Sequence, residues 1–117
     1  MSEAVFTVDE HFEGKDDVVR QIYDQLLAAL RQFGTVQATP RKSSIHLVNV
    51  SGFAGIYPRK NFILLQFRTA RKIDSARIEK TEQLAARRFK HTARLSQPTE
   101  VDEELLDWLK SAYELAG

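Results

Sequence analysis

The sequence predicts an α+β two-layer sandwich: an antiparallel sheet of five or six strands with N-terminal and C-terminal helices on one face. Three observations carry this. Apolar residues recur at spacings of three and four near both ends of the chain. The middle switches to a period of two, and turn-forming residues separate its alternating runs. At 117 residues the chain suits one domain, residues 1–117, with one core.

The first helix is expected over 16–33, where Val19, Ile22, Tyr23, Leu26, Leu30 and Phe33 share a face. Asp16 and Asp17 stand at its start, where carboxylates cap free amides and oppose the positive dipole end. Gly34 follows as the stop. Upstream, Thr7 and Glu10 have the spacing of a capping box for one short turn, broken at Gly14.

Ile45, Leu47 and Asn49 alternate with His46, Val48 and Val50, and Ser51-Gly52 makes a turn. Phe53 to Tyr57 forms a short strand closed by Pro58-Arg59-Lys60-Asn61. Phe62 to Thr69 is the clearest strand, with Ile63, Leu65 and Phe67 on one side. Phe89, His91, Ala93 and Leu95 form the dry side of another, against Arg88, Lys90, Thr92 and Arg94. Residues 78–87 favour helix by propensity, yet they run directly into a strand. A hairpin turning at Ala85-Ala86-Arg87 is the chosen reading. Pro98-Thr99 opens the last helix, near 101–115, with Val101, Leu105, Trp108, Leu109 and Ala112 as its stripe. Glu100, Asp102, Glu103 and Glu104 crowd its first turn. The expected core is completed by Phe89 and Leu95 on the last strand.

The chain is 28% charged and 43% hydrophobic, which excludes collagen-like, mucin-like and disordered classes. No apolar run approaches the roughly 20 residues of a membrane span, and Met1 to Phe6 lack the form of a secretion signal. With no Cys there is no disulfide framework, thiolate nucleophile or Cys-based zinc site, and the cytosol is the expected compartment. The net charge of +1 conceals a segregation. Residues 1–40 carry three basic and seven acidic side chains, and residues 95–117 carry one and six. Between them, residues 41–94 carry thirteen basic side chains against Asp74, Glu79 and Glu82, a block of +10. Such a chain should have an acidic helix layer and a basic sheet, unless opposite charges meet across the fold.

The chain also resembles a widespread bacterial family of small domains catalogued as a domain of unknown function. The resemblance runs from about Val8 to Tyr113. It rests on His11-Phe12-Glu13-Gly14-Lys15, Lys42-Ser43-Ser44-Ile45 before the second strand, and Phe53-Ala54-Gly55-Ile56-Tyr57-Pro58-Arg59-Lys60. Arg77-Ile78-Glu79-Lys80, Arg88-Phe89-Lys90-His91, Val101-Asp102-Glu103-Glu104-Leu105 and Trp108-Leu109-Lys110-Ser111-Ala112-Tyr113 extend it. It implies a hairpin at 78–95 and implies no activity. Some relatives carry the label "predicted transport protein", against which stands the lack of any membrane-length apolar run.

Three function classes follow. As a binding module, the sheet face would carry Arg68, Arg88, Lys90 and Arg94, bordered by Lys42, Arg59 and Lys60, and would take nucleic acid or another polyanion. Tyr57 and Phe62 are the candidates for base stacking. The blander account of the same residues is a solvated face that deters sheet-to-sheet aggregation. As an enzyme, the chain would act on a small anionic substrate, but it has no G-x-S-x-G elbow, phosphate loop or Walker pattern. As a self-associating domain, a homodimer would pair sheet faces through Leu64 and Val48.

No cofactor is implied, and His11, His46 and His91 lack metal-ligand spacing. His91 shares the dry side of its strand and is expected to be an inner, hydrogen-bonded residue. The purified chain is accordingly expected to hold no transition metal. Elemental analysis of chelator-free protein checks this, and a stoichiometric metal contradicts it.

Overall fold

The computed structural model describes residues 6–117; the stretch read for a secretion signal lies mostly outside them, at residues 1–5. After a 3-10 turn at Asp9–Phe12, the chain forms α1 (Asp17–Leu30), β1 (Gln37–Pro40), β2 (Ile45–Val48), β3 (Gly52–Pro58) and β4 (Ile63–Thr69). It continues through β5 (Ile78–Ala85), β6 (Arg88–Leu95), a second 3-10 turn at Pro98–Glu100, and α2 (Glu103–Ala116). The expected fold is present: one six-stranded antiparallel sheet, ordered β1-β2-β3-β4-β6-β5, with two helices.

The hairpin at 78–95 sets this order. β6 turns back against β5 and pairs along the whole of β4, from Ile63↔Leu95 to Thr69↔Phe89, which leaves β5 at the edge. Burial then separates the two faces. Ile45, Leu47, Ile56, Ile63, Leu65, Phe67, Ala93 and Leu95 are buried against Ile22, Leu26 and Leu30 of α1 and Leu105, Leu109 and Ala112 of α2. The opposite face, carrying His46, Tyr57, Gln66, Arg68, Lys90 and Arg94, is half-buried or exposed. Burying about ten aliphatic side chains contributes roughly 1.5–3 kcal/mol each before conformational entropy is offset.

Several local expectations are corrected. The α1 helix ends at Leu30, and Phe33 lies in the following turn, donating to the Leu30 carbonyl at 2.9 Å. Gly34 then has φ +150°, and a Cβ there would collide with the Tyr113 hydroxyl. Asp16 does not cap α1 with its side chain; that carboxylate instead accepts from Lys60 Nζ at 2.9 Å. β1 had no assigned range, because its four residues, Gln-Ala-Thr-Pro, carry little strand signal and end in proline.

The last helix also begins later than Pro98. Glu100 turns back to accept from the Ser96 and Gln97 amides at 2.7 and 3.0 Å, closing a separate 3-10 turn. Val101 breaks the helical path and inserts into the core. Asp102 then caps α2, accepting from the Leu105 amide at 3.1 Å.

The core differs in detail. Phe33, Phe89 and Trp108 are half-buried rather than buried. Phe89 pairs with Thr69 on the last row of β4 and β6, at the end of the sheet. Phe53, absent from the expected core, is nearly fully buried. Leu47 opposes Ala54 and Val48 opposes Gly52, so Phe53 is the extra residue of a β-bulge. The bulge turns its ring inward to meet Tyr113 of α2 edge-on, at 5.4 Å between centroids.

Phe67 sits at the centre of the inner face, stacked on Trp108 at 6.2 Å and tilted against His91 at 5.4 Å. Replacing Phe67 by Ala should cost about 3–5 kcal/mol through lost transfer energy and a residual cavity. Urea melts measure it, and a loss below about 1 kcal/mol would place Phe67 outside the core.

Candidate anion-binding surface

The outer face is organised in rows by the strand register. His46, Gly55, Gln66, Thr92 and Lys80 face one another in sequence across β2, β3, β4, β6 and β5. The adjacent row holds Arg68, Lys90 and Glu82. On the other side lie Tyr57, Leu64 and Arg94. Gly55 has no side chain to fill its place, so the face dips there into an open hollow of about 390 Å³. His46, Tyr57, Gln66, Arg68 and Lys90 stand around it, with the start of β3 as its far wall. A Cβ on Gly55 would sit 3.3 Å from the Tyr57 ring, so the glycine gives that ring room beside the floor.

Among the described residues, no carboxylate lines this hollow. Burial holds His46 below the ordinary histidine range, and Arg41 and Arg68 add like-charge repulsion. The neutral imidazole so favoured donates one hydrogen bond from its protonated nitrogen and accepts one at the other. Arg68 is exposed and makes no ion pair among the described residues. A planar guanidinium beside amide and imidazole groups can hold a phosphate or carboxylate in a fixed orientation.

The seven residues expected to bind anions do not form one patch. Leu64 opposes Arg94, and Arg68 opposes Lys90. Four residues along a strand separate those rows by about 13 Å. Arg68 and Lys90 thus lie together, with Arg88 beyond them at the β5–β6 hairpin tip. Lys42, Arg59, Lys60 and Arg94 belong to the opposite end, in or beside the β1–β2 and β3–β4 turns.

Three of the seven are also neutralised. Lys60 Nζ meets Asp16 at 2.9 Å, Lys90 Nζ meets Glu82 at 3.0 Å, and Arg94 Nε meets Glu79 at 2.9 Å. Arg94 lies over the Phe62 ring as well, at 4.1 Å from its centroid, which removes that ring as a free stacking surface. Lys80 and Lys90 together hold the Glu82 carboxyl below its usual range. The expectation of signs separated between layers is thereby corrected: the edge strand β5 brings its own acids onto the sheet. Between layers, Arg77 Nη1 meets Asp102 at 2.8 Å and Glu104 at 3.1 Å on α2. Arg68, Arg88, Lys42 and Arg59 remain without an ion pair among the described residues.

Alternation along the strands puts His46 opposite in sense to Ile45 and Leu47, and Gln66 opposite to Leu65 and Phe67, which places both on this face together with the stacking candidate Tyr57. Gly55 was missed. Its signal was a glycine in mid-strand, between Ala54 and Ile56, where backbone freedom is not needed for a turn. Among the described residues, no three His, Asp or Glu side chains converge where an ion could be held. No helix among them is long and apolar enough to cross a membrane.

A protein-family model described as "Domain of unknown function (DUF5655)" matches residues 8–116. No curated protein and no solved structure matches the chain.

His91 lies on the inner face, fully buried, as its alternation implied. The Thr69 hydroxyl lies 2.6 Å from the Arg71 carbonyl and has one proton to give it. His91 Nε2, 2.9 Å from the same hydroxyl, must then donate to Thr69. Nδ1 accepts in turn from Thr81 at 3.1 Å. Burial depresses the His91 pKa, outweighing the opposite pull of the Arg71 carbonyl. The unfolded chain thus takes up a proton near pH 6.5 that the folded chain declines. Stability should be full above that pH and fall as pH drops below it, with His46 acting in the same direction. Denaturant melts from about pH 8 to about pH 5 test this, with ring ¹⁵N spectra reporting the Nε2–H tautomer of His91. A flat pH profile, or an Nδ1–H tautomer, contradicts the arrangement.

Proposed function

The chain belongs to the DUF5655 family of domains of unknown function, and we propose that its outer sheet face is a non-catalytic binding surface for an anionic partner, nucleic acid being the polymer it fits. The observation that carries this reading is Arg68. It is exposed beside the Gly55 hollow, faces Lys90 across the strand pair, and has no carboxylate partner among the described residues. Lys90 is paired with Glu82 on the same row, so the free guanidinium of Arg68 is the source of local positive potential there.

The shape supports an extended ligand over an enclosed substrate. Both helices pack on the inner face, so the outer rows stay accessible along the sheet. Tyr57 offers the half-exposed ring on which a base can stack, while His46 and Gln66 offer hydrogen bonds to phosphate, sugar or base edges. Half-buried Leu64 continues the surface beside Tyr57 and adds no charge. Binding by so few free cations should be weak and strongly weakened by salt.

Fluorescence anisotropy with labelled single- and double-stranded DNA and RNA tests the proposal at several salt concentrations. The logarithm of affinity should fall linearly with that of salt, by about 0.9 per phosphate neutralised on duplex DNA. Arg68→Gln should flatten the slope by about one unit. Arg94→Gln should leave it nearly unchanged, since Glu79 already occupies that guanidinium. Absence of binding at low salt, or equal effects of the two variants, would leave the face as a solubilising surface.

A further inference from the structure

A second hollow lies at the hairpin end of the molecule, and its chemistry differs from that of the outer face. It measures about 320 Å³ and is bounded by Phe53, Arg68, Leu84, Arg88, Ala112 and Leu115. One wall is the start of β3 with the C-terminal end of α2, and the other is the tip of the β5–β6 hairpin. The first wall is firmly held: Asn49 Nδ2 donates to the Tyr113 carbonyl and Ser51 Oγ to the Ala116 carbonyl, each at 3.2 Å. The second carries Leu84, a bulged residue that is 48% exposed and so presents an aliphatic side chain to water.

Among the described residues, Arg68 and Arg88 are the only charged side chains bounding this cleft, and neither has an ion pair with another of them. The negative end of α2 does not account for them, because Asn49 and Ser51 already serve two of its last carbonyls. Arg88 Nη1 donates to the Arg87 carbonyl at 2.8 Å and keeps its other donors. Two arginines bound a cleft whose other side chains are aliphatic or aromatic apart from Ser51, whose hydroxyl is engaged with the Ala116 carbonyl, and that pairing calls for an anionic head joined to an apolar body. The volume is near the lower end of ligand sites, which suits a short chain rather than a long acyl group.

We infer that this cleft binds a small amphipathic carboxylate, its head between Arg68 and Arg88 and its hydrocarbon part against Leu84 and Leu115. This goes beyond the nucleic-acid reading, since the cleft is defined by Arg88, Leu84 and α2, none of which borders the Gly55 hollow. Arg68 stands at the rim of both.

An NMR titration of the full chain with hexanoate tests the inference. Hexanoate should shift the Leu84, Ala112 and Leu115 resonances saturably in the millimolar range. Butanoate should bind about ten-fold more weakly, because two fewer methylenes leave water. Hexan-1-ol, with the same tail and no charge, should also lose about ten-fold. Arg88→Gln should weaken hexanoate about ten-fold and Leu84→Ser should erase the chain-length preference, whereas Arg94→Gln changes neither. Both cleft residues are exposed, and matching melting curves confirm that the variants fold. Equal binding of the acid and the alcohol, shifts confined to the Arg59–Arg94 end, or an unaffected Arg88→Gln variant would each overturn it. Nucleic-acid binding that survives Arg88→Gln while hexanoate binding fails would separate the two surfaces.

Discussion

The inner face of β4 is where both helices meet the sheet, and the other packing relations follow from it. Ile63, Leu65 and Phe67 are buried there, between β3 on one side and β6 on the other. Phe67 is held by Trp108 above and His91 beside it. Two fourteen-residue helices cover this face and have no counterpart on the other among the described residues. The chain therefore places its aliphatic residues on one side of each strand and its polar ones on the other. A wet face is the direct consequence of having two helices for one sheet.

Polar groups in the interior are arranged to fit that packing. His91 occupies a core position, which is tolerable because Thr69 and Thr81 satisfy both ring nitrogens. Arg77 plays a comparable part at the margin. Its guanidinium joins the β4–β5 crossover to α2 through Asp102, Glu104 and the Glu100 carbonyl, and lies 5.7 Å from the Trp108 ring. An exposed ion pair contributes little alone. Here one partly buried side chain serves the cap residue, a helix-turn carbonyl and an aromatic ring together.

The same register that orders the core divides the basic block. β6 places Lys90 and Arg94 on the outer face, and the neighbouring β5 returns Glu82 and Glu79 to meet them. The edge strand is thereby covered in alternating charge, a common guard against pairing with another sheet. Of the seven candidate cations, those without an ion pair among the described residues are split between the two ends, Arg68 and Arg88 toward the β5–β6 hairpin and Lys42 and Arg59 in the opposite turns. Charge segregation along a chain is thus a poor guide to charge segregation on a surface.

Much of the fold was legible in the sequence by itself. The period of three to four in α1 and α2, and the alternation in β4 and β6, each report which side of an element is dry. Those local patterns were enough for the two-layer architecture, the inward His91 and the outward Arg68. The hairpin at 78–95 was ambiguous by propensity, because Glu, Lys, Gln and Ala favour helix while an edge strand tolerates them. Tertiary pairing decided it. Only the folded structure turned Phe53 inward, since a bulge depends on how two strands align and leaves no mark in either alone. Only the structure gave Asp16 to Lys60 and Glu79 to Arg94, pairs separated by 44 and 15 residues. Periodicity encodes direction relative to an element's own axis; which charges end as neighbours is set by register and chain reversal between elements.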